Sequence, residues 1–121
     1  MKLEELNVYR LSMELGEGVW QAVSNWQFFA MDTIGKQLVR AADSVAANIS
    51  EGYGRYHYKE NKQFCCYARG SLSETMTWLT KAKARFLISE DFHQQLTDQI
   101  DTLSVKLNNY IKSIGTSNNR P

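Results

Sequence analysis

Residues 40–74 read RAADSVAANISEGYGRYHYKENKQFCCYARGSLSE. Two amphipathic segments without proline meet here at Gly52-Tyr53-Gly54, a turn suited to glycine's permissive backbone. Ala41, Ala42, Val45 and Ile49 before the turn, and Phe64, Ala68 and Leu72 after it, recur largely at three- and four-residue steps. That is the period of a helix with one buried face, so the stretch predicts a helical hairpin. It also carries more arginine, asparagine and glutamate than a plain hairpin needs.

The same period extends outward in both directions. Val8, Leu11, Leu15, Val19, Val23 and Trp26 predict a first helix over about residues 5–27. Gly16 and Gly18 lie inside it, each costing up to ~1 kcal/mol relative to alanine and admitting a close neighbour. Asp32 or Thr33 suits the N-cap of a second helix, whose core face is Ile34, Leu38, Ala41, Ala42, Val45 and Ile49. Gly52 and Gly54 end it in a permissive backbone. A third helix runs from about Lys59 to Leu87, about 40 Å at 1.5 Å per residue. Its inward side is Phe64, Ala68, Leu72, Thr75, Leu79, Ala82 and Phe86. Ser89 caps a fourth, with Glu90 and Asp91 in the first turn, where the helix dipole favours anions. Phe92, Leu96, Ile100, Leu103, Leu107, Ile111 and Ile114 form its stripe; Gly115 stops it, and residues 116–121 read as a flexible polar tail. Four such helices with short connections predict an all-α, up-down-up-down four-helix bundle over residues 1–115.

A chain of 121 residues is one domain, large enough for a core without staples. No apolar run approaches the ~20 residues that span a bilayer. The first ten residues, MKLEELNVYR, lack the pattern of a signal peptide. The expectation is a cytoplasmic protein with no membrane partner. Cys65 and Cys66 are neighbours, which on a helix point about 100° apart. They suit neither an unstrained disulfide nor, alone, a zinc site, so both are expected to stay reduced.

The net charge of +1 hides an uneven distribution. Residues 1–35 carry −3, residues 36–85 carry +5 and residues 86–121 carry −1. A cationic middle suits an anionic partner, and it also suits ordinary solvated helices. Arg40, Ser44, Asn48, Glu51 and Arg55 form one band beside the core face of the second helix. Tyr67, Glu74, Trp78, Lys81 and Arg85 form a similar band on the third.

Two readings follow. In one, Arg40, Ser44, Asn48, Glu51, Arg55, Arg69, Ser71 and Glu74 make a structural polar network, with Glu51 and Glu74 satisfying arginines and Asn48 bonding across helices. In the other, Lys36, Lys59, Lys62, Trp78, Lys81 and Arg85 form a nucleic-acid or partner face, with tyrosines around Arg55 stacking on bases. The readings are compatible if assembly gathers several cationic faces. Ala41, Ala42, Ala46 and Ala47 nearly circle the second helix and hint at a contact with another subunit. Trp20 and Trp78, outside and on the flank, suit interfaces or boundary positions.

No catalytic constellation is visible. His57 and His93 are the only histidines, and the paired Glu-x-x-His motifs of a di-iron bundle are absent. There is no glycine-rich phosphate loop and no HExxH. Glu51 and Glu74 as an acid/base pair would compete with Arg40, Arg55 and Arg69 for salt bridges. The expectation is no enzyme, no cofactor and no metal.

Three runs resemble the hallmark segments of one family: Val39-Arg40-Ala41-Ala42-Asp43-Ser44-Val45, Asn48-Ile49-Ser50-Glu51-Gly52-Tyr53-Gly54-Arg55 and Ala68-Arg69-Gly70-Ser71-Leu72-Ser73-Glu74. It is the four-helix-bundle family of 23S rRNA intervening-sequence proteins, sometimes labelled ribosomal. The likeness covers nearly the whole chain, with the specific motifs within residues 38–75. It implies a bundle assembling as a homo-pentameric ring, a non-enzymatic role and binding of RNA or DNA. A similar bundle is the accessory variability protein of diversity-generating retroelements, which partners a reverse transcriptase and RNA. Carried over, Arg40, Asn48, Glu51, Gly52, Arg55, Arg69, Gly70, Ser71 and Glu74 are the specified positions, with mainly structural roles. A tight crossing with the small residues of the second helix would explain Gly70 in mid-helix. The chain departs from the family in its first loop, Trp26-Gln27-Phe28-Phe29-Ala30-Met31-Asp32, which lacks the usual proline. Its charge of +1 is also below that of accessory variability proteins. The functional expectations are an oligomeric nucleic-acid binder, an adaptor such as a reverse-transcriptase accessory subunit, or an assembly module alone.

Overall fold

Val8, Leu15, Val19 and Val23 bury one face of α1 (Asn7–Val23) in a computed structural model that describes residues 1–116. A 3-10 turn at Leu3–Glu5 precedes it. Then come α2 (Phe28–Ala30), a π-helical turn at Met31–Gly35, α3 (Lys36–Tyr53), α4 (Tyr58–Ala84) and α5 (Glu90–Ser113). The expected tail beyond Thr116 lies outside the described residues.

The long helices α1, α3, α4 and α5 form the expected all-α four-helix bundle. Packing sets their order: α1 lies against α3 and α5, and α4 against the same two, so α1 and α4 sit on a diagonal. Leu15, Val19, Leu38, Val45, Ile49, Leu72, Leu79, Leu96, Leu103 and Leu107 meet in one core with almost no exposure. Each fully buried leucine or isoleucine contributes ~1.5–3 kcal/mol of transfer free energy. Two fully buried polar residues, Ser12 and Thr75, return their hydroxyl protons to the carbonyls of Val8 and Ser71 at 2.6 and 2.8 Å. That satisfies each one without a partner on another helix.

Several boundaries differ from the sequence reading. The first helix stops at Val23, where the Ser24 hydroxyl donates to the Trp20 carbonyl at 2.6 Å and the Asn25 amide to the Gln21 carbonyl at 2.9 Å. Side chains thus take the carbonyls that a helix end leaves open. Asp32 and Thr33 are not caps. Helical backbone already begins at Phe28 and runs through the π turn into α3, so both lie inside it. Thr33 donates to the Phe29 carbonyl at 2.7 Å and Asp32 pairs with Lys36 at 3.1 Å. Ser89 does cap α5, accepting from the Phe92 N–H at 3.0 Å.

At the α3–α4 turn Gly52 serves space rather than backbone freedom, whereas a Cβ on Gly54 would meet its nearest neighbours at an ordinary 3.7 Å. Gly54 has an ordinary φ of −78°. A Cβ on Gly52 would stand 3.0 Å from the Asn61 carbonyl oxygen and 2.7 Å from the Asn61 side chain. Gly115, with φ +80°, does adopt the left-handed conformation that stops the last helix.

Phe86 is the largest departure. It was expected on the core face, but α4 ends at Ala84 and Phe86 is 94% exposed with φ +60°. The Phe86 N–H donates to the Lys83 carbonyl at 3.1 Å and the Leu87 N–H to the Ala82 carbonyl at 2.9 Å. This pair of bonds is a Schellman motif, and Phe86 occupies the left-handed position that glycine ordinarily fills.

Candidate functional site

The polar band of α3 bonds mainly along its own helix. The Ser44 hydroxyl donates to the Arg40 carbonyl at 2.8 Å and the Asn48 amide to the Ser44 carbonyl at 2.9 Å. Arg55 binds the α3–α4 turn together: its guanidinium pairs with Glu51 at 3.6 Å and Glu60 at 3.4 Å and lies 4.8 Å from the Phe64 ring centre. These groups are substantially solvated, so each ion pair contributes well under ~1 kcal/mol.

On α4, Arg69 reaches α5, donating to Asn108 Oδ1 at 3.0 Å, and also contacts Cys66 Sγ at 3.8 Å. Trp78 Nε1 donates to Glu74 at 3.1 Å. Among the described residues, Glu51 and Glu74 therefore do not bridge to arginines across helices, and Asn48 does not reach a second helix. Gly70 is exposed with nothing within 4 Å of a Cβ built on it, so the tight intrachain crossing expected for it is absent. Of the four alanines, Ala41, Ala42 and Ala46 are buried in the bundle and Ala47 is exposed.

The cations of the other candidate set divide by partner. Lys36 is held by Asp32. Among the described residues, Lys59, Lys62, Lys81 and Arg85 are exposed and none stands within ion-pair distance of a carboxylate. They fall into two groups at opposite ends of α4, about 33 Å apart at 1.5 Å per residue. Trp78 is half-buried between them, packed on the core. Beside the Lys59 end, Tyr56 is 91% exposed with its ring edge-on to His57 at 5.0 Å. Tyr53 donates to the Met1 carbonyl and Tyr58 packs on the core, so Tyr56 is the tyrosine of this turn free to stack on a ligand.

A feature the sequence reading passed over lies at the far end. Trp20, Val23, Phe28, Met31, Gly35 and Val39 line an apolar groove of about 480 Å³ between α1 and the start of α3, with Asp32, Lys36 and Arg40 at its rim. Trp20 is 57% exposed and Phe28 and Phe29 are 74% and 80% exposed. The adjacent phenylalanines were the available signal, since a pair so placed serves neither a loop nor the core. Gly35 lets the helix approach α1, because a Cβ there would meet Val23 at 2.7 Å.

A second groove between α1 and α3 holds Glu17 and Asp43, where burial and then Glu17 raise the Asp43 carboxyl. Among the described residues no cluster of histidine, cysteine, aspartate and glutamate is placed to hold a metal, and no helix is long and apolar enough to cross a membrane.

The fold has a solved counterpart. A crystal structure of a protein of unknown function from the S23 ribosomal protein family of Bacteroides thetaiotaomicron matches with a TM-score of 0.78 and 19% identity. The match covers 88% of this chain and 99% of that one, and at such identity it speaks to the fold. No curated protein matches the chain. The sequence pattern of the 23S rRNA-intervening sequence protein family matches residues 4–109, from the opening 3-10 turn into the last helix, and the chain belongs to that family.

Proposed function

We propose that the protein is a non-enzymatic, oligomeric RNA-binding bundle that acts in the cytoplasm without a cofactor. The observation that carries this reading is the set of exposed cations on and beside α4, Lys59, Lys62, Lys81 and Arg85, which lack carboxylate partners among the described residues. Cations left free in this way release counterions when they meet phosphates. Tyr56 beside Lys59 adds a ring for an unpaired base, worth ~1–3 kcal/mol per stacked base. The family's description names an rRNA element, which agrees with RNA as the ligand. The homo-pentameric ring implied by the family motifs would present the cations five times over, and multivalency would multiply a weak single-site affinity.

The test is sedimentation of the purified protein with a mixed RNA pool at two salt concentrations. RNA is taken up at low salt and shed at high salt. Replacing Lys59 and Lys62, or Lys81 and Arg85, with alanine weakens uptake and lowers the salt slope by about 0.7 for each lost single-strand phosphate contact. Unchanged uptake with all four replaced would reject the face. The exposed Trp20–Phe28 groove favours a second reading, an adaptor for a protein such as a reverse transcriptase. Capture of that enzyme by a protein indifferent to RNA would favour it.

A further inference from the structure

We propose that the RNA taken by this protein is a paired stem laid lengthwise along the outer side of α4, with an unpaired base at its end against Tyr56. The inference rests on the RNA reading above and names the form of RNA that the face accepts.

The two cation groups share one side of the helix. Counted at 100° per residue, Lys59, Lys62 and Lys81 fall within about 100° of one another around α4, and Arg85 follows one turn after Lys81. Lys59 and Lys81 stand about 33 Å apart along one unbroken helix. The two carboxylates of α4 do not oppose a phosphate there, since Glu60 is held by Arg55 and Glu74 by the Trp78 indole.

The line between the groups is of a different kind. Cys66, Gly70, Ser73 and Thr77 lie along it, all exposed, small and uncharged. Beside it, the Arg69 guanidinium is turned to Asn108 on α5. Glycine is among the poorest residues for a helix interior, and nothing in this chain stands within 4 Å of a Cβ built on Gly70. Room that the chain itself does not use suits a partner that comes close to the backbone.

This pattern of charged ends and a bare middle separates two forms of RNA. A flexible single strand is held by cations that track its backbone, and the middle of this face offers it none. A duplex is stiff and brings each strand back to the same side once per helical turn, roughly 30–35 Å along its axis. Phosphates one turn apart on one strand therefore meet Lys59 and Lys62 at one end and Lys81 and Arg85 at the other. Between them the second strand crosses α4, where the small residues leave room for its backbone. Ser73 and Thr77 set hydroxyls at that crossing for the phosphates and 2′-hydroxyls by which paired RNA is recognised. Tyr56 lies beyond the Lys59 end of the helix, so its exposed ring meets a base that flanks the stem and is free to stack.

Fluorescence anisotropy of labelled RNA hairpins, with the purified full chain at one fixed salt concentration, tests the length and the form together. A stem of about 12 base pairs spans a full turn and binds about tenfold or more tighter than one of about 6, which reaches a single cation group. Replacing Lys59 and Lys62 with alanine, or Lys81 and Arg85, lowers the long stem to the affinity of the short one. Gly70→Leu fills open space, keeps the helical circular dichroism spectrum and weakens the long stem about tenfold, because the added side chain holds the second strand away.

An unpaired strand of the same length that binds as tightly as the long stem overturns the proposal and leaves the RNA reading standing. So does a long stem indifferent to Gly70→Leu. A protein that binds neither form at low salt overturns the RNA reading itself.

Discussion

Burial pushes the Cys65 thiol up to about 11, helped by Cys66 beside it, whereas Cys66 is exposed next to the Arg69 guanidinium. Thiolate is the reactive form, so a thiol reagent at pH 8 should label Cys66 rapidly and Cys65 only on unfolding. Two equally fast thiols in the native protein, or fast labelling that persists in Cys66→Ser, would contradict that placement. Asp43 gives a pH-dependent counterpart. Its carboxyl is raised, first by burial and then by Glu17, so folding tolerates its charge less well than the unfolded chain does. Such a group contributes stability below its unfolded pKa and loses that contribution as pH rises through the folded value. Asp43→Asn should therefore raise the melting temperature at pH 7, with the advantage fading as pH falls below about 4. A lower melting temperature at pH 7 would show that the carboxylate has a favourable partner after all.

At the scale of the element, two glycines make opposite predictions from one substitution. Gly52 is pressed by the α4 backbone, with the Asn61 carbonyl and Phe64 Cβ each 3.0 Å from a Cβ built on it. Gly52→Ala should cost ~1–3 kcal/mol in denaturant unfolding, as other overpacked sites do. Gly70 meets open space, so Gly70→Ala should gain up to ~1 kcal/mol of helix propensity. A loss at Gly70 would show that something outside the chain approaches it closely. These signs were not legible in sequence. Both glycines sit in helical pattern, and the distance to a neighbouring backbone is set by how two helices cross. The helices themselves were legible because their period is local: Ile34, Leu38, Val45 and Ile49 all reached the core as expected. Ends were harder. The entry to α3 hid in Phe28–Gly35 because exposed aromatics and a π turn have no capping signature. Phe86 looked like the next core residue on a stripe that in fact ended one turn earlier.

At the scale of the molecule, most of the buried apolar residues form one connected cluster drawn from all four long helices. Leu103→Ala should therefore cost ~2–5 kcal/mol, and circular dichroism and tryptophan fluorescence should still report a single coincident transition. Separate transitions would mean that one helix pair folds on its own. The candidate site was less legible than the core for a related reason. Its arginines, lysines and glutamates could be named from spacing, but whether Arg55 staples a turn or meets a ligand depends on Glu60 and Phe64, which no helical wheel places beside it.

The Schellman turn at Phe86 also bears on how this protein responds to selection. A library screened only for resistance to heat, at concentrations too low for copies to meet, should enrich glycine at position 86, because relieving a left-handed phenylalanine is among the cheapest gains available. Enrichment for survival would then remove an aromatic ring that the fold itself leaves in solvent.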